Sequence, residues 1–331
     1  MNKKFDVYGI GNALVDIDFE VEQIFLTNHK IKKGLMTLVD EETQSRLINA
    51  IDHKNAAMKS GGSAANTVMA VSQFGGNAFY SCKVADDDFG NFYLNDLAEA
   101  GISTNLDGKK REDGITGKCL VMITDDADRT MNTFLGITTS LSTNEVDENA
   151  IKNSEYIYLE GYLVASPTAF EAMKLTKQLA EKHGVKTSIT LSDPSIVEGF
   201  KGLFHEVIGN SVDLLFCNEE EALKFTDSSN ISVAREELKK IAKRFVITQG
   251  KNGAMIFDGD TFIDIEPYEV KAVDTNGAGD MFAGAFLYGI TNGHTYAGSG
   301  KLASLASSKI VSQYGPRLNM KSIKEIQNHT L

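Results

Sequence analysis

The chain reads as an α/β protein: a doubly wound, mostly parallel sheet with helices on both faces, plus a small β-sheet lid. Three observations predict this. Short β-branched or aromatic runs alternate with segments whose apolar residues recur with a period of about 3.6. Two regions break that alternation and read as additional strands. No Pro/Ser-rich linker divides the 331 residues, whose four prolines are Pro167, Pro194, Pro267 and Pro316. One domain over 1–331 is therefore expected, with a lid formed by segments 16–39 and 105–135.

The main-sheet strands expected in order are Phe5–Ile10, Ala78–Cys82, Tyr156–Leu159, Thr187–Leu191, Leu214–Cys217 and Phe245–Thr248. Between them, Thr168–His183 places Ala169, Ala172, Met173, Leu179 and Ala180 on one helical face and turns Lys174, Lys177 and Glu181 away. Ala234, Leu238, Ile241 and Ala242 form a similar stripe before Phe245. The lid strands are Asp16–Val21 and Leu35–Val39, joined by a hairpin of Gly117–Thr124 and Arg129–Leu135 around the acidic turn at 125–128. In sheets of this class ligands bind beyond the carboxyl ends of the strands, so residues there carry the functional information.

Charge and composition narrow the function. Lys and Arg number 33 against 45 Asp and Glu, a net charge of -12, which argues against a nucleic-acid partner. A hydrophobic fraction of 42% and a charged fraction of 24% suit a globular protein with a large core. Cys82, Cys119 and Cys217 are too scattered for a disulfide framework or a zinc knuckle and read as buried thiols. A reducing compartment, the cytoplasm, is expected. Asp6, Asp16 and Asp18 interrupt any signal-peptide core. The uncharged stretch Met281–Gly300 contains Thr291, Asn292, Gly293, His294 and Thr295, and fits a buried helix and loop better than a membrane span.

The most informative segment is Asp274-Thr-Asn-Gly-Ala-Gly-Asp280, which runs into the apolar Met281-Phe-Ala-Gly-Ala-Phe-Leu287. A glycine-rich turn opening a helix offers unpaired backbone N–H groups at the positive end of the helix dipole. Gly277, Ala278 and Gly279 are small enough for the backbone to touch a phosphate. Asp280, in the first helical turn, can take a proton from an attacking hydroxyl. Alone, Asp280 fits a helix-terminus role as well; the heptad around it favours the catalytic one. Asp16 follows the first strand, where a carboxylate can accept hydrogen bonds from two vicinal hydroxyls or begin a turn. Asn218 and Glu221 have the spacing of a capping box, and Thr248 with Gly250 that of a strand-end turn.

The heptad resembles the second signature, D-T-x-G-A-G-D, of the PfkB carbohydrate kinases, the family of ribokinase and adenosine kinase. Gly61-Gly62-Ser-Ala-Ala-Asn66 resembles the first signature, Asn218-Glu-Glu-Glu221 the N-x-x-E motif, and Thr248-Gln-Gly-Lys-Asn-Gly253 the T-x-G-x-x-G motif. The four occur in order over nearly the whole chain. A Walker A loop is missing, and Leu14 replaces the third glycine after Gly9 and Gly11, so the dinucleotide fingerprint of a nicotinamide oxidoreductase fails.

The resemblance implies a ribokinase-like fold and a set of roles. Asp280 is the catalytic base and Gly277, Ala278 and Gly279 the anion hole. Asn218 and Glu221 hold Mg²⁺, and Asn218, Thr248, Gly250, Gly253, Asp274 and Thr275 bind ATP. A monovalent cation, K⁺, is implied near Asp274, Thr275 and Gly315. Asp16, Asn12, Gly62 and Asn66 bind hydroxyls of the acceptor, and Arg129 is a lid arginine over the phosphates. Phe134, Leu163 and Phe200 are candidates to stack on a base, with a core position the alternative for each. The segments Phe5–Asp16 and Ser312–Leu318 look more like the adenosine kinase branch than ribokinase. The implied activity is ATP-dependent phosphorylation of a primary hydroxyl on a ribose-containing substrate, adenosine to AMP. The alternatives are a fructokinase- or ribokinase-like sugar kinase, or a non-catalytic nucleoside- or sugar-binding protein. A monomer or homodimer is expected.

Overall fold

A computed structural model describes residues 3–34, 36–51, 57–125 and 129–330. Among the described residues the strands are, in chain order, β1 (Phe5–Ile10), β2 (Leu14–Glu20), β3 (Met36–Leu38), β4 (Ala57–Gly61), β5 (Ala78–Ser81), β6 (Ser103–Thr104) and β7 (Gly117–Ile123). They continue with β8 (Arg129–Phe134), β9 (Ser154–Leu159), β10 (Lys186–Thr190), β11 (Leu214–Asn218), β12 (Phe245–Thr248), β13 (Ala254–Phe257) and β14 (Phe262–Ile265). Nine of them form one sheet in the order β14-β13-β12-β11-β10-β9-β1-β5-β6. Pairing is parallel from β12 to β6 and antiparallel at β12–β13 and β13–β14. The two antiparallel edge strands flank Asp258 and Gly259, an Asp-Gly hairpin signal that the reading for βα units passes over.

Helices cover both faces of this sheet, because its strands are apolar on both sides. Along β1, Val7 belongs to one core and Tyr8 and Ile10 to the other. The first core packs Val68, Phe286 and Leu302 from the helices Ser63–Gln73, Ala278–Thr291 and Tyr296–Val311. The second packs Met173, Val197 and Phe225 from Pro167–Lys182, Pro194–Ile208 and Glu219–Thr226. Full burial of such side chains contributes roughly 1.5–3 kcal/mol each. Lys177 departs from its expected outward position: it is buried and pairs with Glu181 at 2.6 Å. The stripe before Phe245 also ends early. The helix Ile231–Leu238 stops short of Ala242, which bridges Val212 instead.

The smaller sheet has the order β3-β8-β7-β2-β4. Its β4 comes from Ala57–Gly61, a segment without β-branched residues, and pairs antiparallel with β2. Register assigns its two faces. Asp16 stands beside Lys59 and Cys119, and Cys119 beside Thr133, on one face. Val15 stands beside Lys118, and Lys118 beside Phe134, on the other. The three cysteines are buried and not joined in disulfides. Among the described residues no helix is long and apolar enough to cross a membrane.

Candidate active site

The helices Ser63–Gln73 and Ala278–Thr291 pack against each other so closely that a β-carbon on Gly284 would overlap the Thr67 carbonyl oxygen and lie 2.5 Å from Ala70 Cβ. That approach brings their N-termini together. The Ser63 hydroxyl donates to Asp280 Oδ1 at 2.7 Å, and Asn66 Nδ2 donates to Oδ2 at 3.2 Å. Asn66 Oδ1 is buried without a hydrogen-bond partner. Burial pushes the Asp280 carboxyl up to about 6, against the lowering effect of those two donors.

The residues expected to bind the acceptor gather at the start of the helix Ser63–Gln73. Gly62 has φ +105°, and a β-carbon there would strike the Asn12 carbonyl oxygen, so only glycine fits. The Asp16 carboxylate lies directly against the Gly61 backbone. Burial first, and then the charge of Asp18, push its pKa up to about 7, while Arg317 and Lys59 oppose the shift. Asn12 is turned inward. Its N and Nδ2 donate to Glu160 Oε1 at 3.2 and 2.8 Å, and its Oδ1 accepts from Thr138 at 3.3 Å.

Glu160 is the residue that sequence reasoning missed. It follows β9, is 1% exposed, and accepts from the Ala64 amide at 2.9 Å as well as from Asn12. It thus caps the helix Ser63–Gln73, whose N-cap position is Gly62, with a carboxylate from another strand. Burial raises its pKa to about 7. Tyr162 was missed as well. Burial raises its hydroxyl far above the ordinary value, and the charges of Asp193, Asp280, Glu160 and Glu221 add to the shift.

A cavity of about 860 Å³ is lined by Thr248, Gly250, Gly253, Thr275, Ala278 and Gly279 among others. This volume lies within the range of ligand sites, roughly 300–1,000 Å³. Gly277 has φ +74°, and the first backbone hydrogen bond of its helix runs from the Met281 amide to the Gly277 carbonyl. The amides before Met281 therefore lack intrahelical acceptors; that of Ala278 donates to Thr275 O at 3.3 Å. Asp274 is buried, and its carboxylate accepts from the amides of Asn276 and Gly315 at 3.0 and 2.9 Å, bracing the turn.

Asn218 and Glu221, at the end of β11, form the capping box that their spacing allows. Asn218 N and Nδ2 donate to the Glu221 carboxylate at 3.0 and 2.6 Å, and Glu221 N donates to Asn218 Oδ1 at 2.8 Å. The same pair presents hard oxygen donors, and burial lifts Glu221 to about 7, helped by Asp193 and Glu220. A cation nearby would relieve that charge.

Three expected base-stacking residues are not brought to Asp16. Phe134 lies on the opposite face of the small sheet, where the Lys118 ammonium sits between it and Phe89 at 5.9 and 4.7 Å. Leu163 is in the second core and Phe200 packs against it. Arg129 opens β8; its side chain lies outside the described residues, as do 126–128.

Comparison with known proteins decides the family. The model of the pfkB family of carbohydrate kinases matches residues 35–323. The chain belongs to that family. This PfkB kinase is similar over its whole length to a probable sugar kinase from Rhizobium etli, with 33% identity, a TM-score of 0.89 and coverage of 99% of this chain and 100% of that one. It is equally similar to adenosine kinase from Sinorhizobium meliloti, at 33% identity, a TM-score of 0.88 and 98% and 99% coverage. Adenosine kinase of Saccharomyces cerevisiae is 27% identical over 329 residues, 93% of this chain and 95% of that protein. The PfkB kinase is thus a sugar or nucleoside kinase.

Proposed function

We propose that this kinase transfers the γ-phosphoryl group of ATP to a primary hydroxyl of a ribose-containing nucleoside, adenosine to AMP at the 5′-oxygen. One observation carries the reading: Asp280 follows Ala278 and Gly279, which line the cavity, and its carboxylate accepts from Asn66, on the helix that Gly62 opens next to Asp16. The acceptor hydroxyl would enter between Asp280 and the end of the nucleotide. Asp280 takes its proton as the oxygen attacks phosphorus, and a carboxyl raised to about 6 is mostly ionised at neutral pH yet basic enough to assist.

Thr248, Gly250, Gly253 and Thr275 bind the nucleotide in this reading, and the amides of Gly277, Ala278 and Gly279 stabilise charge on the moving phosphoryl. The Asn218–Glu221 pair would hold Mg²⁺ through its waters, and bound Mg²⁺ neutralises phosphate charge during transfer. The smaller sheet would act as a lid that excludes water, with Arg129 on it.

The acceptor rests on the 33% identity to an adenosine kinase, and the same identity to a probable sugar kinase supports the second reading, a sugar kinase. Measuring ATP consumption with adenosine, inosine, ribose and fructose separates the two. Turnover with adenosine well above the others is expected. Turnover with a free sugar alone would replace the nucleoside by that sugar, and no turnover with any would sink the assignment.

A further inference from the structure

A short strap after the helix Tyr296–Val311 touches both halves of the site. The Gly315 amide donates to Asp274, and Pro316 lies against Gly277, where a β-carbon would come within 2.6 Å of Pro316 Cβ. The next residue, Arg317, reaches the acceptor side. Its Nη1 donates to Asp96 Oδ2 at 2.6 Å, and its Nη2 donates to both the carbonyl and the hydroxyl oxygen of Ser60. Asp96 Oδ2 also accepts from the Ser60 amide at 2.8 Å. The residue after Ser60 is Gly61, against whose backbone the Asp16 carboxylate lies and whose carbonyl accepts from Tyr93 at 3.0 Å.

We propose that Arg317 is a positioning residue for Asp16. Its guanidinium, locked to Ser60 and Asp96, fixes the Gly61 backbone under the Asp16 carboxylate and places a permanent positive charge behind it. A planar fork with several fixed donors suits this duty, and a lysine would supply the charge without the geometry. The remaining charged groups around Asp16 are Asp18 on its own strand, Lys59 on β4 and Asp280 at the helix head, with the Cys119 thiol beside it in register. Asp18 and Asp280 favour its neutral form; Arg317 and Lys59 favour the ionised form. An ionised Asp16 accepts two hydrogen bonds from a vicinal diol, and a protonated one is a poorer acceptor.

The inference rests on the acceptor role proposed for Asp16, and two measurements keep them apart. The first is steady-state kinetics of Arg317→Gln and Arg317→Lys. In Arg317→Gln the acceptor KM at pH 7 should rise about fivefold, the loss of ionised Asp16 when its value of about 7 rises by about one unit, with the ATP KM within about twofold. Raising the pH toward 9 should recover part of the loss, and Arg317→Lys should lie between the two. A KM for acceptor that is unchanged, or one that rises together with the ATP KM equally at every pH, overturns the proposal.

The second measurement needs no acceptor. Carboxyl-¹³C aspartate NMR, with the Asp16 resonance identified by its loss in Asp16→Asn, should show Asp16 titrating at higher pH in Arg317→Gln and near the wild-type pH in Arg317→Lys. An unmoved titration in Arg317→Gln overturns the role of Arg317 whatever the acceptor is. Failure of the wild-type protein to phosphorylate any acceptor would instead remove the kinase reading and leave the titration to decide Arg317.

Discussion

Ser63 and Asp280 lie 217 residues apart in the chain, and the hydroxyl of the first donates to the carboxylate of the second at 2.7 Å. The bond joins the heads of two helices held in contact by Gly284. If Asp280 is the base, its amide analogue keeps the shape, turns one of the two accepting oxygens into a donor and loses the proton acceptor. Asp280→Asn should therefore lower kcat by about 10²–10⁴-fold, the usual worth of a positioned general base. Calorimetric acceptor affinity should change only a few-fold. Wild-type turnover in this variant would remove Asp280 from the mechanism.

The same contact sets a pH dependence. A base raised to about 6 by burial must be ionised to act, so kcat at saturating acceptor should fall as the pH drops through about 6. The Ser63 hydroxyl lowers that value, and Ser63→Ala should move the acid limb to higher pH. A limb that stays in place, or moves down, contradicts the assignment.

Stability should respond to pH in the opposite sense from an ordinary salt-bridged protein. Asp16, Glu160 and Glu221 are raised to about 7 and Asp280 to about 6 by burial. Groups with raised values stabilise the fold while protonated, below the ordinary carboxylate range, and that contribution is lost as the pH rises through the folded-state values. The melting temperature of the ligand-free protein should fall from pH 5 to 7.5. Glu160→Gln should flatten the fall and, by leaving one of three buried donors without an acceptor, cost about 1–3 kcal/mol at pH 5. Calorimetric scans of both proteins across this range provide the check.

Gly277→Ala places a β-carbon at φ +74° and 2.6 Å from Pro316. The left-handed conformation alone costs about 1–2 kcal/mol. A lower melting temperature and a raised ATP KM are expected, with the acceptor KM less affected. Equal effects on both substrates would mean that the turn does not serve the nucleotide.

Glu221→Gln should raise the Mg²⁺ concentration needed for half-maximal rate, or lower the rate itself, by about 10–100-fold, the scale seen when groups around a metal are altered. Titrating Mg²⁺ at fixed ATP measures it. An unchanged Mg²⁺ requirement together with an unchanged rate would leave the pair as a helix cap alone.

Local signals were enough to place the elements that carry most of the candidate residues. Phe5–Ile10 and Phe245–Thr248 have the limits that their apolar runs imply, and Asn218, Thr248 and the turn before Asp280 lie at strand or helix ends, as their glycines and capping residues indicate. These features depend on neighbours within a few residues, which a sequence displays directly. The composition alone also determined that the chain builds a large core with a net charge of -12.

Other features depended on register and burial, which come from distant parts of the chain. Glu160 is an unremarked glutamate after a strand until Ile10 pairs with β1's neighbour at Leu159 and carries it beside Asn12. Phe134 faces Lys118 because β8 aligns those two residues, and a shift of one position would have turned it toward Asp16. The raised carboxyls arise from desolvation by surrounding elements, and Arg317 meets Ser60 only because its strap crosses the site. Side-chain direction and dielectric environment are properties of the packed molecule, so tertiary structure alone decided them.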